Sequence, residues 1–305
     1  MVRSLSAALA PALVPAVLAS AVLAALPAAA DPVTDARGVT VEVGDRSRVV
    51  SIGGTVTEIL YDLGVEEAVV AVDSTSLFPP EALKENDNVG YMRALSAEGV
   101  LSMTPSLVLA IEGSGPPEVV ELLGASSVPL VVVDDDPTPE AVTARIRFLA
   151  GLMGVPERGE ALAGDVEARF ATLAEAKTAI TKPTRVLFVI TVRDGHPMVA
   201  GSNTAADAMI RLAGGVNVAA GFDGYKPMGD EAIVEAQPEF VLVMGSGGHA
   251  VETEALLDTP AFRTTPAGIE RRLQVIDGLS LLGFGPRSPD VALTLARTLH
   301  PGQVP

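Results

Sequence analysis

The chain contains no cysteine. That excludes disulfides, thiolate zinc sites, iron–sulfur clusters and a thiol nucleophile. Tryptophan is also absent, and there are only three tyrosines and three histidines. His196, His249 and His300 are scattered, without the close spacing that puts two imidazoles on one metal, so a three- or four-ligand zinc site is poorly supplied. Basic residues are scarce: 21 Lys and Arg against 38 Asp and Glu leave a net charge of −17. So acidic a surface argues against nucleic acid and anionic membranes as partners, and suits a cationic docking surface. After residue 30 no apolar run approaches a membrane span. Nor is there a G-x-S-x-G elbow, an H-E-x-x-H helix, a P-loop or a dinucleotide fingerprint. No nucleophile–base pair assembles, so no enzyme is expected. A secreted α/β hydrolase is the alternative from that class.

What is present begins with residues 1–30. Arg3 precedes a long Ala/Leu/Val run interrupted by Pro11, Pro15 and Pro27 and closed by Ala28-Ala29-Ala30. This pattern predicts a secretory signal peptide. No cysteine follows for lipid anchoring, so a soluble protein of a Gram-negative periplasm is expected. The remaining chain, roughly 275 residues, is long enough for two domains with cores.

After a polar leader over 31–38, strands are predicted at Thr40–Val43, Arg48–Ile52, Val69–Val72, Leu107–Ala110 and Leu130–Val133. Gly53-Gly54-Thr55 opens a helix over Val56–Leu63, Ser74–Asn88 is turn-rich, and Ser96 caps a short helix. From Pro137 the pattern changes to two consecutive helices, Pro139–Met153 and Pro156–Ala179. The second would reach ~36 Å and is read as spanning two lobes. Alternation resumes with strands Arg185–Thr191 and Met198–Ala200, helix Thr204–Leu212, strands Phe240–Met244 and Leu273–Ile276, and a helix over Pro289–Leu299. This is parallel α/β architecture.

A weak internal repeat runs through it. Glu98 through Pro105 to Ala110 can be laid over Glu231 through Pro238 to Val243, each a glutamate, a proline seven residues on, and an apolar strand. A looser pair sets Gly53-Gly54-Thr55 against Gly201-Ser202-Asn203. Both Gly segments would aim helix N-terminal amides at an anion, or serve as tight turns with caps. Glu66-Glu67 and Asp134-Asp135-Asp136 read as solvated loop faces. His300 is expected at the exposed tail, His249 in a glycine-rich loop, and His196 in a turn after a strand, where binding residues often lie.

Tyr91 differs in kind. A buried phenol needs a partner, and a phenolate can ligate ferric iron. With a free pKa near 10, ligation at neutral pH needs the metal or a nearby cation. Arg93 would lie on the same side of an extended segment.

The combination resembles a known family. Ser51-Ile-Gly-Gly-Thr-Val-Thr-Glu-Ile-Leu-Tyr-Asp-Leu-Gly64, Val70-Ala-Val-Asp-Ser-Thr-Ser-Leu-Phe-Pro-Pro80 and Val89-Gly-Tyr-Met-Arg-Ala-Leu-Ser-Ala-Glu-Gly-Val-Leu101 look like periplasmic haem-binding proteins of bacterial haem ABC importers, of the class with a helical backbone between lobes. Pro197–Asp207 and Gly224–Met228 continue the likeness. It implies two Rossmann-like α/β lobes, over 38–155 and 181–305, joined by a helix over 156–180, with a ligand cleft between them. It implies ferric haem as transported ligand, Tyr91 on its iron and Arg93 in support. Gly54, Tyr225, Lys226 and His196 are further candidates for the ligand. Glu98 and Glu231 would dock a permease dimer carrying its ATPase, and a monomer is expected. A ferric-siderophore or cobalamin carrier of the same fold is the alternative.

Overall fold

A computed structural model of the chain describes residues 31–193, 196–245 and 253–305. The predicted signal segment, His249 and the Asp194-Gly195 turn lie outside the described residues. Among those described, no helix is long and apolar enough to cross a membrane.

Asp31–Thr34 (β1) and Thr40–Val43 (β2) pair as an antiparallel hairpin, so the expected polar leader is partly strand. Val49–Ile52 (β3), Val69–Val72 (β4), Asp87–Asn88 (β5), Leu107–Ile111 (β6) and Leu130–Val133 (β7) form a parallel sheet ordered β5-β4-β3-β6-β7. Strands β3, β6 and β7 are buried throughout. Parallel strands covered on both faces read as unbroken apolar runs, which is why Val-Val-Ser-Ile, Leu-Val-Leu-Ala-Ile and Leu-Val-Val-Val announced themselves. Helix Pro80–Glu85 lies inside the stretch read as turns, and helix Pro117–Gly124 was not foreseen.

Arg185–Arg193 (β8), His196–Ala200 (β9), Val216–Asn217 (β10), Tyr225–Pro227 (β11), Phe240–Gly245 (β12) and Leu273–Asp277 (β13) form the second sheet. Its order is β11-β9-β8-β12-β13, with β10 also against β8. His196 therefore opens a strand rather than occupying a turn.

The two orders match place by place. β6 and β12 occupy corresponding positions, each preceded by a helix (Ala97–Ser102, Asp230–Ala236) whose second residue is glutamate. The tighter sequence repeat is thus a repeat of structure. The looser one is not. Gly53–Thr55 follows β3, the counterpart of β8, whereas Gly201–Asn203 follows β9, the counterpart of β4. The second sheet also differs in strand direction: β9 runs antiparallel to β8, and β11 antiparallel to β9.

Between the sheets in sequence lies helix Pro156–Lys177. Its buried residues Gly159, Ala163, Val166, Phe170 and Leu173 recur at alternating steps of four and three, a single apolar stripe. It packs on helix Pro139–Leu152 from the first half and on helix Ser288–Leu299 from the second. One hydrophobic core runs from Val49, Leu107 and Val131 through this helix to Val186, Phe188 and Leu242. The molecule is two Rossmann-like α/β units on one helical backbone.

In the first sheet the chain steps from β3 outward to β4 and β5, then crosses to β6 and β7. Ligands of open α/β sheets bind beyond the carboxyl ends of the strands at such a switch. The residues found there are Gly53, Asp73, Tyr91, Glu112 and Asp134 to Asp136.

Candidate functional site

Tyr91 sits on a turn, not an extended segment. Ala94 N–H donates to Tyr91 O at 2.8 Å, and Gly115 N–H to Met92 O at 2.9 Å. Ser74 N–H donates to Gly90 O at 2.8 Å, and Gly90 N–H to Asn88 Oδ1 at 2.7 Å. The turn still sets Arg93 beside the phenol: Arg93 Nη1 lies 3.5 Å from Tyr91 Oη, at the long limit of a hydrogen bond. Tyr91 is 45% exposed. It is not a buried hydroxyl seeking a partner but an open phenol with a guanidinium at its side.

Tyr225 faces the same guanidinium from the second unit. Burial pushes its phenol up, while Arg93 and the Thr204 hydroxyl pull it down and Asp135 adds a smaller upward push. Asp135 belongs to the same group. Desolvation pushes its carboxyl up to about 6, opposed by Arg145 and Arg93 and reinforced by Asp134 and Glu112. Its side chain is exposed, yet enough protein surrounds it for desolvation to be the largest cause of the shift. Arg93 thus lies beside Tyr91, and its charge is felt at both Tyr225 and Asp135. The sequence alone presents Asp135 as a solvated loop residue. The signal missed was its place at the carboxyl end of β7, two strands from the switch.

Lys226 and His196 are not gathered into this group. Successive residues of a strand point to opposite faces, so Lys226 turns away from Tyr225, and its Nζ lies 5.2 Å from the centroid of the Phe222 ring. His196 is exposed. It lies four residues along β9 from Ala200, the register partner of Tyr225, roughly 13 Å at strand spacing.

In both glycine segments the first two amides serve the protein itself, Gly201 N–H donating to Gly224 O and Ser202 N–H to Phe222 O, each at 2.8 Å. Gly53 N–H donates to Asp73 Oδ1 at 2.8 Å and Gly54 N–H to Thr75 Oγ1 at 3.1 Å. Ser202 Oγ and Asn203 Nδ2 both donate to Asp223 Oδ1, at 2.7 and 3.0 Å. Gly54 is held by close approach instead: a Cβ there would fall 2.3 Å from Thr75 O and 2.7 Å from Leu279 Cδ1. The carbonyl is backbone and cannot swing aside. Gly54→Ala is expected to cost about 1–3 kcal/mol as overpacking, read as a lowered thermal midpoint.

Glu98 and Glu231 are both exposed in the first turns of their helices. Ser96 Oγ caps the first by accepting from Gly99 N–H at 3.3 Å, as the sequence indicated. His300 departs from expectation. It is 1% exposed, with Nδ1 3.4 Å from Thr184 Oγ1, and burial holds its pKa down. The tail folds back on the second sheet, so a terminal position did not mean a surface one.

The periplasmic binding protein family matches residues 49–278. Among solved structures, the periplasmic haem-binding protein RhuT from Roseiflexus sp. RS-1 in apo form is 43% identical, covering 84% of this chain and 98% of that one, with a TM-score of 0.79. The periplasmic haem-binding protein BhuT in complex with two haems is 41% identical, covering 83% and 97%, with a TM-score of 0.78. Among curated proteins, a vitamin B12-binding protein of Pectobacterium atrosepticum is 29% identical over 216 residues, 68% of this chain and 75% of that protein. Such proteins are transport components rather than enzymes. This chain belongs to the periplasmic binding protein family.

Proposed function

We propose that this protein captures ferric haem in the periplasm and hands it to an inner-membrane ABC permease. The observation that carries the proposal is the exposed Tyr91 phenol with Arg93 beside it, the charge of that guanidinium also reaching Tyr225 of the other unit. Likeness to haem-binding proteins above 40% identity supports it. Haem offers an apolar macrocycle, two propionates and an iron that accepts a phenolate. Tyr91 is the iron ligand, Arg93 stands beside its oxygen as a hydrogen-bond donor, and Tyr225 meets the ligand from the other unit. Gly54, Lys226 and His196 are assigned no direct contact.

Three further assignments go with this reading. Residues 1–30 are a signal peptide removed on export across a Gram-negative inner membrane. The lobes span 38–155 and 181–305, joined by the helical segment 156–180. The protein works as a monomer on a permease dimer with its ATPase.

Glu98 and Glu231, at matching places of the repeat and exposed, are the docking contacts. In Glu98→Ala/Glu231→Ala, hemin affinity is expected to stay at the wild-type value while stimulation of permease ATPase activity is lost. Equal stimulation by both proteins sinks the docking assignment.

A second ligand class, cobalamin, is favoured by the vitamin B12-binding relative. Titration of the purified protein with hemin, in the presence and absence of cyanocobalamin, decides between them. Saturable hemin binding that cyanocobalamin does not displace is expected. Saturation by cyanocobalamin with no hemin response overturns the haem reading.

A further inference from the structure

The Tyr91 turn is short, exposed and without regular secondary structure, yet a metal ligand has to be held in place. What holds it is the loop that follows β4. Asp73 is fully buried, and four hydrogen bonds satisfy its carboxylate. Oδ1 accepts from Gly53 N–H at 2.8 Å and Ser76 Oγ at 3.1 Å. Oδ2 accepts from Thr75 N–H at 2.9 Å and Thr75 Oγ1 at 2.7 Å. No salt-bridge partner serves it among the described residues; backbone amides, hydroxyls and the start of helix Gly54–Asp62 do.

Thr75 passes this order outward. Its Oγ1, fixed by Asp73, accepts from Gly54 N–H at 3.1 Å and meets Met92 Sδ at 3.9 Å. The neighbouring Ser74 N–H holds Gly90 O at 2.8 Å. The loop therefore touches the residues on both sides of Tyr91: it holds Gly90 by its carbonyl and packs against the Met92 thioether, the one Thr75 hydroxyl proton being given to Asp73. We infer that Asp73 and Thr75 are positioning residues that fix the Tyr91 phenol for the ligand, through Gly90 and Met92, without touching the ligand themselves. The inference rests on the proposed role of Tyr91. It adds residues to which neither the motif nor the family likeness gave a part. Outer residues that orient a metal ligand typically affect metal affinity about 10–100-fold.

The same carboxylate also ends a second chain of hydroxyls, which supplies a control. Ser51 Oγ meets Thr57 Oγ1 at 2.8 Å, and Thr57 Oγ1 meets Ser76 Oγ at 2.8 Å. These bonds are buried and share Asp73, but none reaches the turn at 90–94.

The experiment compares hemin titrations, visible and EPR spectra, and thermal midpoints of five proteins: wild type, Tyr91→Phe, Thr75→Val, Thr75→Ser and Thr57→Val. Thr75→Val is expected to weaken hemin binding about tenfold or more and to shift the phenolate-to-iron charge-transfer band. Thr75→Ser, which keeps the hydroxyl, is expected to restore both. Thr57→Val should lower the thermal midpoint and leave the band in place. An unmoved band and affinity in Thr75→Val overturn the inference, as does an equal shift in Thr57→Val, which would mark a general loss of stability. Where Thr75→Val does not fold, Thr75→Ala, which adds no bulk, is read with the same expected and overturning results. A wild-type protein without a Tyr91-dependent band overturns this inference and the haem reading together, and the wild-type and Tyr91→Phe pair identifies that case.

Discussion

Arg287→Met is expected to destabilise the protein by about 3–5 kcal/mol, the usual cost of removing one partner from a buried ion pair. For a chain of this size that is a fall in thermal midpoint on the order of 10 °C. Glu58 lies on helix Gly54–Asp62 and is 2% exposed. Both its oxygens are taken by one guanidinium: Arg287 Nε to Oε1 at 3.0 Å and Nη2 to Oε2 at 2.8 Å. The guanidinium also lies 3.7 Å from the centre of the Phe78 ring, a stacking that methionine cannot reproduce. The pair ties the first unit to the second, beside two further links, Thr55 Oγ1 to Gly283 O and Arg145 Nη1 to Phe284 O. The effect has a pH signature. Nearby Asp62 is already pushed up to about 6, first by burial and then by Glu58, with Arg287 and Arg169 opposing. Without Arg287, Glu58 becomes an uncompensated buried carboxylate, and Asp62 loses one of the two cations that oppose its raised pKa. A raised carboxylate pKa penalises the fold where the group is ionised, and the penalty fades as pH falls through the folded-state value. The loss of midpoint should therefore be larger at pH 8 than at pH 5, and Glu58→Gln/Arg287→Met should regain part of it. A midpoint within 2 °C of wild type at both pH values, on the order of the shift from 1 kcal/mol or less, would show the tie to be dispensable.

That tie illustrates which features the sequence made visible. Elements whose causes are local were legible. Buried parallel strands are continuous runs of Val, Leu and Ile, Ser96 and the proline-led helices carry their caps with them, and the glutamate–proline–strand repeat placed Glu98 and Glu231 at corresponding positions before the sheets were seen. Features made by distant residues were not. Glu58 and Arg287 are separated by most of the chain, and nothing near either announces the other. Asp135 looked like one of three solvated acids, and only the approach of Arg93 and Tyr225 gives it a cleft. The Gly53 and Gly201 segments left two readings open because a glycine turn before a helix has the same local cause whether its amides serve a ligand or, as for Gly53, Gly54 and Gly201, the protein's own Asp73, Thr75 and Gly224. His300 misled for the converse reason, since its position along the chain carries no information about what folds over it.

Tyr91→Phe is expected to weaken hemin binding by more than the roughly 10–100-fold that loss of a supporting outer residue costs a metal site, and to abolish the phenolate charge-transfer band. The substitution keeps the ring and removes one oxygen, so packing of the turn is not at issue, and Tyr91 is open enough that its hydroxyl has no structural task beyond the long contact with Arg93. Arg93→Ala is expected to do less and to do something different. The guanidinium lies at the long limit of a hydrogen bond to the phenol oxygen, so removing it should weaken hemin binding by less than Tyr91→Phe does and shift the band rather than erase it. Arg93→Lys should recover the charge but not the planar fork, and restore affinity and band position only in part. The alternative ligand is Tyr225, which shares Arg93 across the cleft. Its phenol is pushed up by burial, so it is the poorer phenolate donor before iron arrives, and Tyr225→Phe should leave the band in place. A band that survives Tyr91→Phe and disappears in Tyr225→Phe would move the iron to the opposite wall, and with it the role of everything that holds the 90–94 turn.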